Sequence, residues 1–295
     1  MSPRRLITLT TDFGLADHFV GVMKGVILRI NPDAVLVDIS HEVDSYDILD
    51  GAFTLAQSYR FFPPGTIHLV VVDPGVGSAR RPILVTAPSA QFVAPDNGVL
   101  SMVYEREPDA QVRHISSERY FLRPVSNTFH GRDIFAPSAA WLSKGVEPGE
   151  FGKVITDYVR LALPKPRRLR NEDQLRVEGS VLKVDKFGDI ITNIAPEDVP
   201  ELFSAAPPPF RIIISGRGKE RMIVTSGGNR SMSKFSPLPC ESLTRICVAP
   251  AARAPRIAAS TSSVMKVRKR SYSKPCGLSC CSVTTPVTPS MSAEL

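Results

Sequence analysis

The run TIHLVVVD, residues 66–73, constrains this chain more than any other stretch. It is apolar and β-branched almost without interruption, and it ends on a carboxylate. A strand with one face in water alternates apolar and polar residues, and this one does not. It therefore reads as a strand covered on both faces. Cover on both faces is what helices on either side of a parallel sheet provide. The flanking segments agree. LITLTTDF (6–13) and AVLVDIS (34–40) read as strands, with PILVTAP and QFVAPDNG as two more. HFVGVMKGVILRIN (18–31) has helical spacing and stops at Asn31-Pro32. DILDGAFTLAQSYRFFPPG (47–65) reads as a helix closed by Pro-Pro-Gly, and DIFAPSAAWLSKG (133–145) as another with Pro137 near its start. Residues 1–163 are thus expected to form an α/β domain with a mostly parallel sheet.

PKPRRLRN, residues 164–171, is rich in proline and charge and reads as a linker. Beyond it, QLRVEGSVLKVDKFGDIITNI, FRIIIS and ERMIVTS suggest a small antiparallel β domain over 172–226. From 227 to 295 no periodicity of useful length is visible. That stretch is rich in Ser, Pro, Arg and Cys and contains no aspartate, so it is expected to be an irregular tail. Two origins fit it: a naturally disordered extension, or a core strand read out of frame. The tail also distorts the bulk numbers. Residues 236–295 supply +6 of the formal net charge of +7, and all five cysteines lie at or beyond position 240. The rest of the chain is almost neutral, so the basic balance says little about its partners, and no nucleic acid is expected among them. CGLSCC has no nearby histidine and no paired ligand spacing, which argues against a metal site. No apolar stretch reaches the roughly 18 residues needed to cross a bilayer. The short apolar run after Arg4-Arg5 meets Asp12 too soon for a secretory signal, so a cytoplasmic location is expected.

In parallel sheets, ligands bind beyond the carboxyl ends of the strands. Here Asp12, Ser40-His41-Glu42, Asp73 and Asp96-Asn97 each follow a strand, which suggests a shared polar cleft. VVDPGVGSARRP (71–82) lacks the spacing of a Walker or dinucleotide-binding loop. Its glycines serve a tight turn, and arginines after a turn are usually solvated. A carboxylate ending a buried strand, however, needs partners, and Arg80 is close enough along the chain to fold back to Asp73. TFHGRDIFAP (128–137) places His130 before a helix. It is either a capping or core histidine, or one that holds or moves a proton. Asp12 and Asp17 read either as a cap with an exposed charge or as carboxylates for ligand hydroxyls. Asp185, Phe187 and Asp189 surround a glycine and read equally as a β-turn.

Six motifs then occur in a fixed order: TTDFG, DISHEV, VVDPGVGSARR, APDNGVLS, TFHGRDIFAP and DKFGDIITNI. Together they resemble the S-adenosyl-L-methionine hydroxide adenosyltransferase family, over about residues 5–226. The resemblance implies a Rossmann-like α/β domain joined to a small β-barrel-like domain. It also implies a homotrimer with sites between neighbouring subunits. The expected reaction is hydrolysis of S-adenosyl-L-methionine to adenosine and L-methionine, with no cofactor. By the same resemblance Asp73, Arg80 and His130 match the family's water-activating triad. Asp12 matches the ribose contact, and Asp17 a position near the methionine. Asp185 matches the contact to the methionine amino group, Phe187 a pocket wall, and Asp189 a position facing adenine. That last position is commonly Asn in the family, and an ionised Asp can only accept hydrogen bonds. Two other readings follow from the motifs. One is a halogenase forming 5′-halo-adenosine, although halogenating relatives lack the triad and fluorinating ones carry an extra loop. The other is a binding protein disabled by its C-terminus.

Overall fold

The computed structural model describes residues 6–171, 174–187, 190–204, 210–216, 219–225 and 244–250. The chain divides into two compact units, Met1–Leu163 and Pro164–Leu295.

The first unit is built on six strands: β1 (Leu6–Thr11), β2 (Val35–Ser40), β3 (Thr66–Val71), β4 (Pro82–Thr86), β5 (Ala90–Pro95) and β6 (Gln111–His114). Their order is β2-β1-β3-β5-β4-β6. Strands β2, β1, β3 and β5 run parallel, while β4 lies antiparallel to β5 and to β6. The helices are α1 (Phe19–Ile30), α2 (Ile48–Ser58), α3 (Ser101–Arg106) and α4 (Ala136–Ser143). All six residues of β3 are buried, as the unbroken apolar run requires. Strand periodicity sends them to opposite faces. Ile67, Leu69 and Val71 join Ile7 and Leu9 against Met23, Ile27 and Ala139 of α1 and α4. Val70 joins Leu55, Phe92 and Val103 on the side of α2 and α3. Each fully buried aliphatic side chain of this kind contributes roughly 1.5–3 kcal/mol. The N-terminus of α2 is capped by Asp47, whose Oδ1 accepts the Leu49 and Asp50 N–H groups, both at 3.0 Å.

One polar pair crosses this core. Thr8 and His68 are register partners on β1 and β3, and Thr8 Oγ1 lies 2.7 Å from His68 Nδ1. The imidazole sits among the rings of Tyr59, Phe62 and Phe92. Burial lowers its pKa to about 4.

The second unit carries β7 (Arg167–Asn171), β8 (Gln174–Val184), β9 (Ile190–Thr192), β10 (Phe210–Gly216), β11 (Lys219–Thr225) and β12 (Thr244–Pro250). Five of them form a sheet in the order β11-β10-β12-β8-β7, and each neighbouring pair is antiparallel. β9 pairs with β8. Two expectations are corrected here. Residues 167–171, read as linker, form an edge strand on β8. Charged residues are common on edge strands, because long stems cover the sheet while their heads stay in water. Arg168, for example, reaches Glu201 at 2.7 Å. The tail, read as irregular from 227, contributes β12. TRICVAP is too short to show a period inside a Ser/Pro/Arg-rich stretch. Pairing on both sides, with β10 and β8, makes it a strand, so tertiary context overrides composition.

Candidate active site

The chain passes from β1 to β2 on one side, then returns to place β3 on the other side of β1. Such a switch leaves a crevice beyond the carboxyl ends of the two diverging strands. β1 ends at Thr11, whose register partner is Val71 of β3. Asp12 and Asp73 therefore both enter the loops at that crevice.

A tight turn follows β3. The Val76 N–H donates to the Asp73 carbonyl at 3.2 Å, and the Ser78 N–H to the Gly75 carbonyl at 3.0 Å. Gly77 holds φ +78°. A Cβ there would come within 2.6 Å of the Asn127 carbonyl oxygen, so glycine allows the turn to lie against the segment preceding His130. The turn reverses the chain and returns Arg80 to Asp73. Arg80 Nε donates to Asp73 Oδ1 at 2.9 Å, and Nη2 donates to Oδ2. Both side chains are more than nine-tenths buried. Burying a charged pair is tolerable when it is bidentate. The Arg80 guanidinium also lies over the Phe135 ring, 5.0 Å from its centroid. Its Nη1 is buried and has no hydrogen-bond partner among the described residues.

His130 completes the group from another element. It precedes a π turn, Gly131–Phe135, that continues into α4. Such irregular turns often occur at functional sites. Arg80 Nη2 lies 2.7 Å from His130 Nδ1. A guanidinium can only donate, so Nδ1 accepts, and the neutral ring carries its proton on Nε2. Burial lowers the His130 pKa, and the Arg80 charge acts in the same direction. The carboxylates of Asp73 and Asp133 and a hydrogen bond with the Ser126 backbone oppose them without reversing the shift. The imidazole is therefore neutral near pH 7. The three groups form one connected array: a carboxylate fixes a cation, and the cation fixes a neutral imidazole. Such an array can orient a small oxygen nucleophile and favour negative charge on it.

Of the residues singled out from sequence, Asp73, Arg80 and His130 are joined directly. Asp12 stands at the neighbouring strand end, where its Oδ2 accepts the Tyr46 N–H at 2.9 Å. Asp17 is exposed between β1 and α1. Asp185 and Phe187 belong to the second unit, where Asp185 Oδ1 accepts the Phe187 N–H at 2.8 Å in a local turn. Asp189 lies outside the described residues. Asp96 does not join the triad: Arg81 Nε and Nη2 donate to its Oδ2 at 3.0 and 2.8 Å, and Oδ1 accepts the Val159 N–H. The two arginines of the SARRP stretch thus each pair with a different buried carboxylate, and neither is simply solvated.

Sequence reasoning missed two supports and the role of a third. Asp133 is wholly buried; it takes Arg132 Nε at 2.6 Å and the Ser126 N–H at 2.8 Å, tying down the segment before His130. Asn97 Nδ2 donates to the Val72 carbonyl at 2.9 Å and props the end of β3. Phe135 provides the face beneath Arg80. The adjacent Arg132-Asp133 pair was a visible hint and Asn97 was read only as a polar strand end; the contacts of Asn97 and Phe135 join distant segments.

The family model described as "SAM hydroxide adenosyltransferase N-terminal domain" matches residues 7–152. The chain is similar to the (R)-S-adenosyl-L-methionine hydrolase of Methanocaldococcus jannaschii, at 39% identity over 199 residues, covering 66% of this chain and 68% of that one. A fluorinase of Actinoplanes sp. is more distant, at 26% identity, with 72% of this chain and 78% of that one covered. Among solved structures, an uncharacterized conserved protein from Thermotoga maritima superimposes with TM-score 0.68 at 34% identity, covering 83% of this chain and 98% of that one.

Proposed function

Because the chain belongs to the SAM hydroxide adenosyltransferase family, we propose that it hydrolyses S-adenosyl-L-methionine to adenosine and L-methionine. The observation that carries this reading is the hydrogen-bonded set Asp73–Arg80–His130 beside the β1/β3 crevice. The water oxygen bonds to ribose C5′ as the C5′–S bond breaks. The electron pair of that bond goes to sulfur, the sulfonium becomes the neutral thioether of methionine, and one proton is released. A sulfonium needs no acid to leave, so the protein's task is to hold water in line with C5′ and opposite the sulfur. We therefore expect no cofactor. Arg80 Nη1 is a buried cationic donor without a partner among the described residues, suited to an oxygen with hydroxide character. With Nδ1 engaged by Arg80, His130 holds the guanidinium in place for that oxygen and does not deprotonate it.

In this reading Asp12 binds the ribose hydroxyls and Asp17 lies near the methionine part. Asp185 takes the methionine amino group, Phe187 lines the pocket and position 189 meets adenine. A barrel-like second domain, assembly as a homotrimer and a cytoplasmic location belong to the same proposal; no helix among the described residues is long and apolar enough to cross a membrane. The test is incubation of the purified chain with S-adenosyl-L-methionine in ¹⁸O-water. Adenosine and methionine in equal amounts, with the label in the 5′-hydroxyl, are expected. Unlabelled adenosine, no adenosine, or a 5′-halo-adenosine formed on adding halide overturns the assignment.

A further inference from the structure

His41 is a buried histidine that the water-positioning set does not use. It follows β2, on the opposite side of β1 from β3. Its Nδ1 lies 2.8 Å from Thr11 Oγ1. Its Nε2 lies 3.0 Å from Asp38 Oδ1, in an alignment too poor for a good hydrogen bond, so that contact is electrostatic. Asp38 Oδ2 accepts from Lys24 Nζ at 2.6 Å. Burial alone would raise the Asp38 carboxyl pKa; the Lys24 hydrogen bond and the His41 contact outweigh it and hold the group below its ordinary value. An ionised Asp38 favours the ring tautomer with the proton on Nε2, which leaves Nδ1 as an acceptor. The Thr11 hydroxyl then donates to Nδ1, and its oxygen accepts the Phe13 N–H at 3.3 Å. One donor direction therefore runs from the backbone at Phe13 through Thr11 to His41.

Two backbone contacts close the same clamp. The Gly14 N–H donates to the His41 carbonyl at 2.7 Å, and the Val43 N–H to the Thr11 carbonyl at 3.4 Å. Enclosed between Thr11 and Phe13 is Asp12. Its carboxylate also receives the N–H of Tyr46, a residue held at φ 65°. A non-glycine residue in that region persists only when its surroundings fix it.

We propose that His41 is a positioning residue for substrate: through the Thr11 hydroxyl it fixes the loop that aims Asp12 at the ribose. The proposal rests on the reading of Asp12 as the ribose contact. A contact made equally in the ground state and the transition state changes KM and not kcat. His41→Leu, and the isosteric Thr11→Val should the first fail to fold, are expected to raise KM for S-adenosyl-L-methionine about 3- to 10-fold, the effect of one lost hydrogen bond, with kcat within about twofold. His41→Asn keeps an acceptor near the place of Nδ1 and is expected to recover most of the loss.

The deciding measurement is inhibition by adenosine and by 2′,3′-dideoxyadenosine in wild type, His41→Leu, Asp12→Asn and the double variant. The inhibition constant of 2′,3′-dideoxyadenosine divided by that of adenosine is expected to fall by the same factor as KM rises in His41→Leu, and adding that substitution to Asp12→Asn is expected to change nothing further. If the substitutions act additively, or if both nucleosides weaken equally with a fall in kcat, His41 is merely structural and the proposal fails. If Asp12→Asn alone keeps the wild-type ratio, the ribose role of Asp12 fails, and the proposal with it.

Discussion

Replacing His130 by Asn separates orientation from proton abstraction. In the folded chain Nδ1 accepts from Arg80 Nη2 at 2.7 Å, so the ring is already a hydrogen-bond acceptor before substrate arrives. The Asn amide oxygen can occupy roughly the place of Nδ1 and keep that bond, but an amide cannot take a proton at neutral pH. His130→Gln puts its amide near Nε2, and His130→Ala leaves one of the two Nη2 N–H groups without an acceptor, the other still donating to Asp73. A hydrogen bond to a charged group contributes about 1.5–3 kcal/mol, which equals about 10- to 150-fold if fully expressed in the transition state. His130→Ala and His130→Gln should therefore lose about that much in kcat, and His130→Asn tenfold or less. Removing a general base instead costs about 10²–10⁴ in all three. The assay is adenosine formation at saturating S-adenosyl-L-methionine, with thermal denaturation to establish folding. Long-range ¹H–¹⁵N spectra of the wild type should show an unprotonated Nδ1 and a protonated Nε2. An Asn variant as inactive as the Ala variant, or the opposite tautomer, refutes the reasoning.

The remaining expectations concern pH and packing. Burial, reinforced by Arg80, lowers the His130 pKa, and the opposing pull of Asp73, Asp133 and Ser126 is smaller. kcat/KM should thus be level near pH 7 and fall on acidification with a midpoint below 6.5; a midpoint above that value contradicts the assignment. His68, with its pKa lowered to about 4, should contribute about 3 kcal/mol of stability that is fully present above pH 6.5 and lost as pH falls through 4. Urea titrations at pH 7, 5.5 and 4.5 should show the loss, and His68→Phe should flatten it. Gly77→Ala meets both a φ of +78° and the Asn127 carbonyl. It should cost at least about 1–2 kcal/mol by thermal denaturation and should lower kcat, because the turn can no longer bring Arg80 to His130. Asp73→Asn leaves Arg80 buried without its counter-charge. It should destabilise the fold by about 3–5 kcal/mol and abolish turnover; an unchanged denaturation midpoint contradicts the pairing.

By itself, the sequence determined the layer architecture of residues 6–163, because burial on both faces leaves a mark along the chain: β3 is apolar at nearly every position. It also put Asp73 and Arg80 within reach of each other, because a turn of seven residues can return one to the other, and local geometry is written locally; that they meet is seen in the fold. What was not legible depends on segments far apart in sequence. His130 reaches Arg80 across fifty residues, and its tautomer follows from that contact alone. Arg81 looked like a second solvated arginine until Asp96 received it. TRICVAP carries too few residues to declare a period, and becomes a strand only because β8 and β10 offer it two edges. His41 was a polar residue after a strand; that it sits between Thr11 and Asp38, buried behind the loop of Asp12, was decided by the packing of β2 against β1. Periodicity reports how a segment meets solvent, whereas the partner of a buried polar group is chosen by the fold that brings the two segments together.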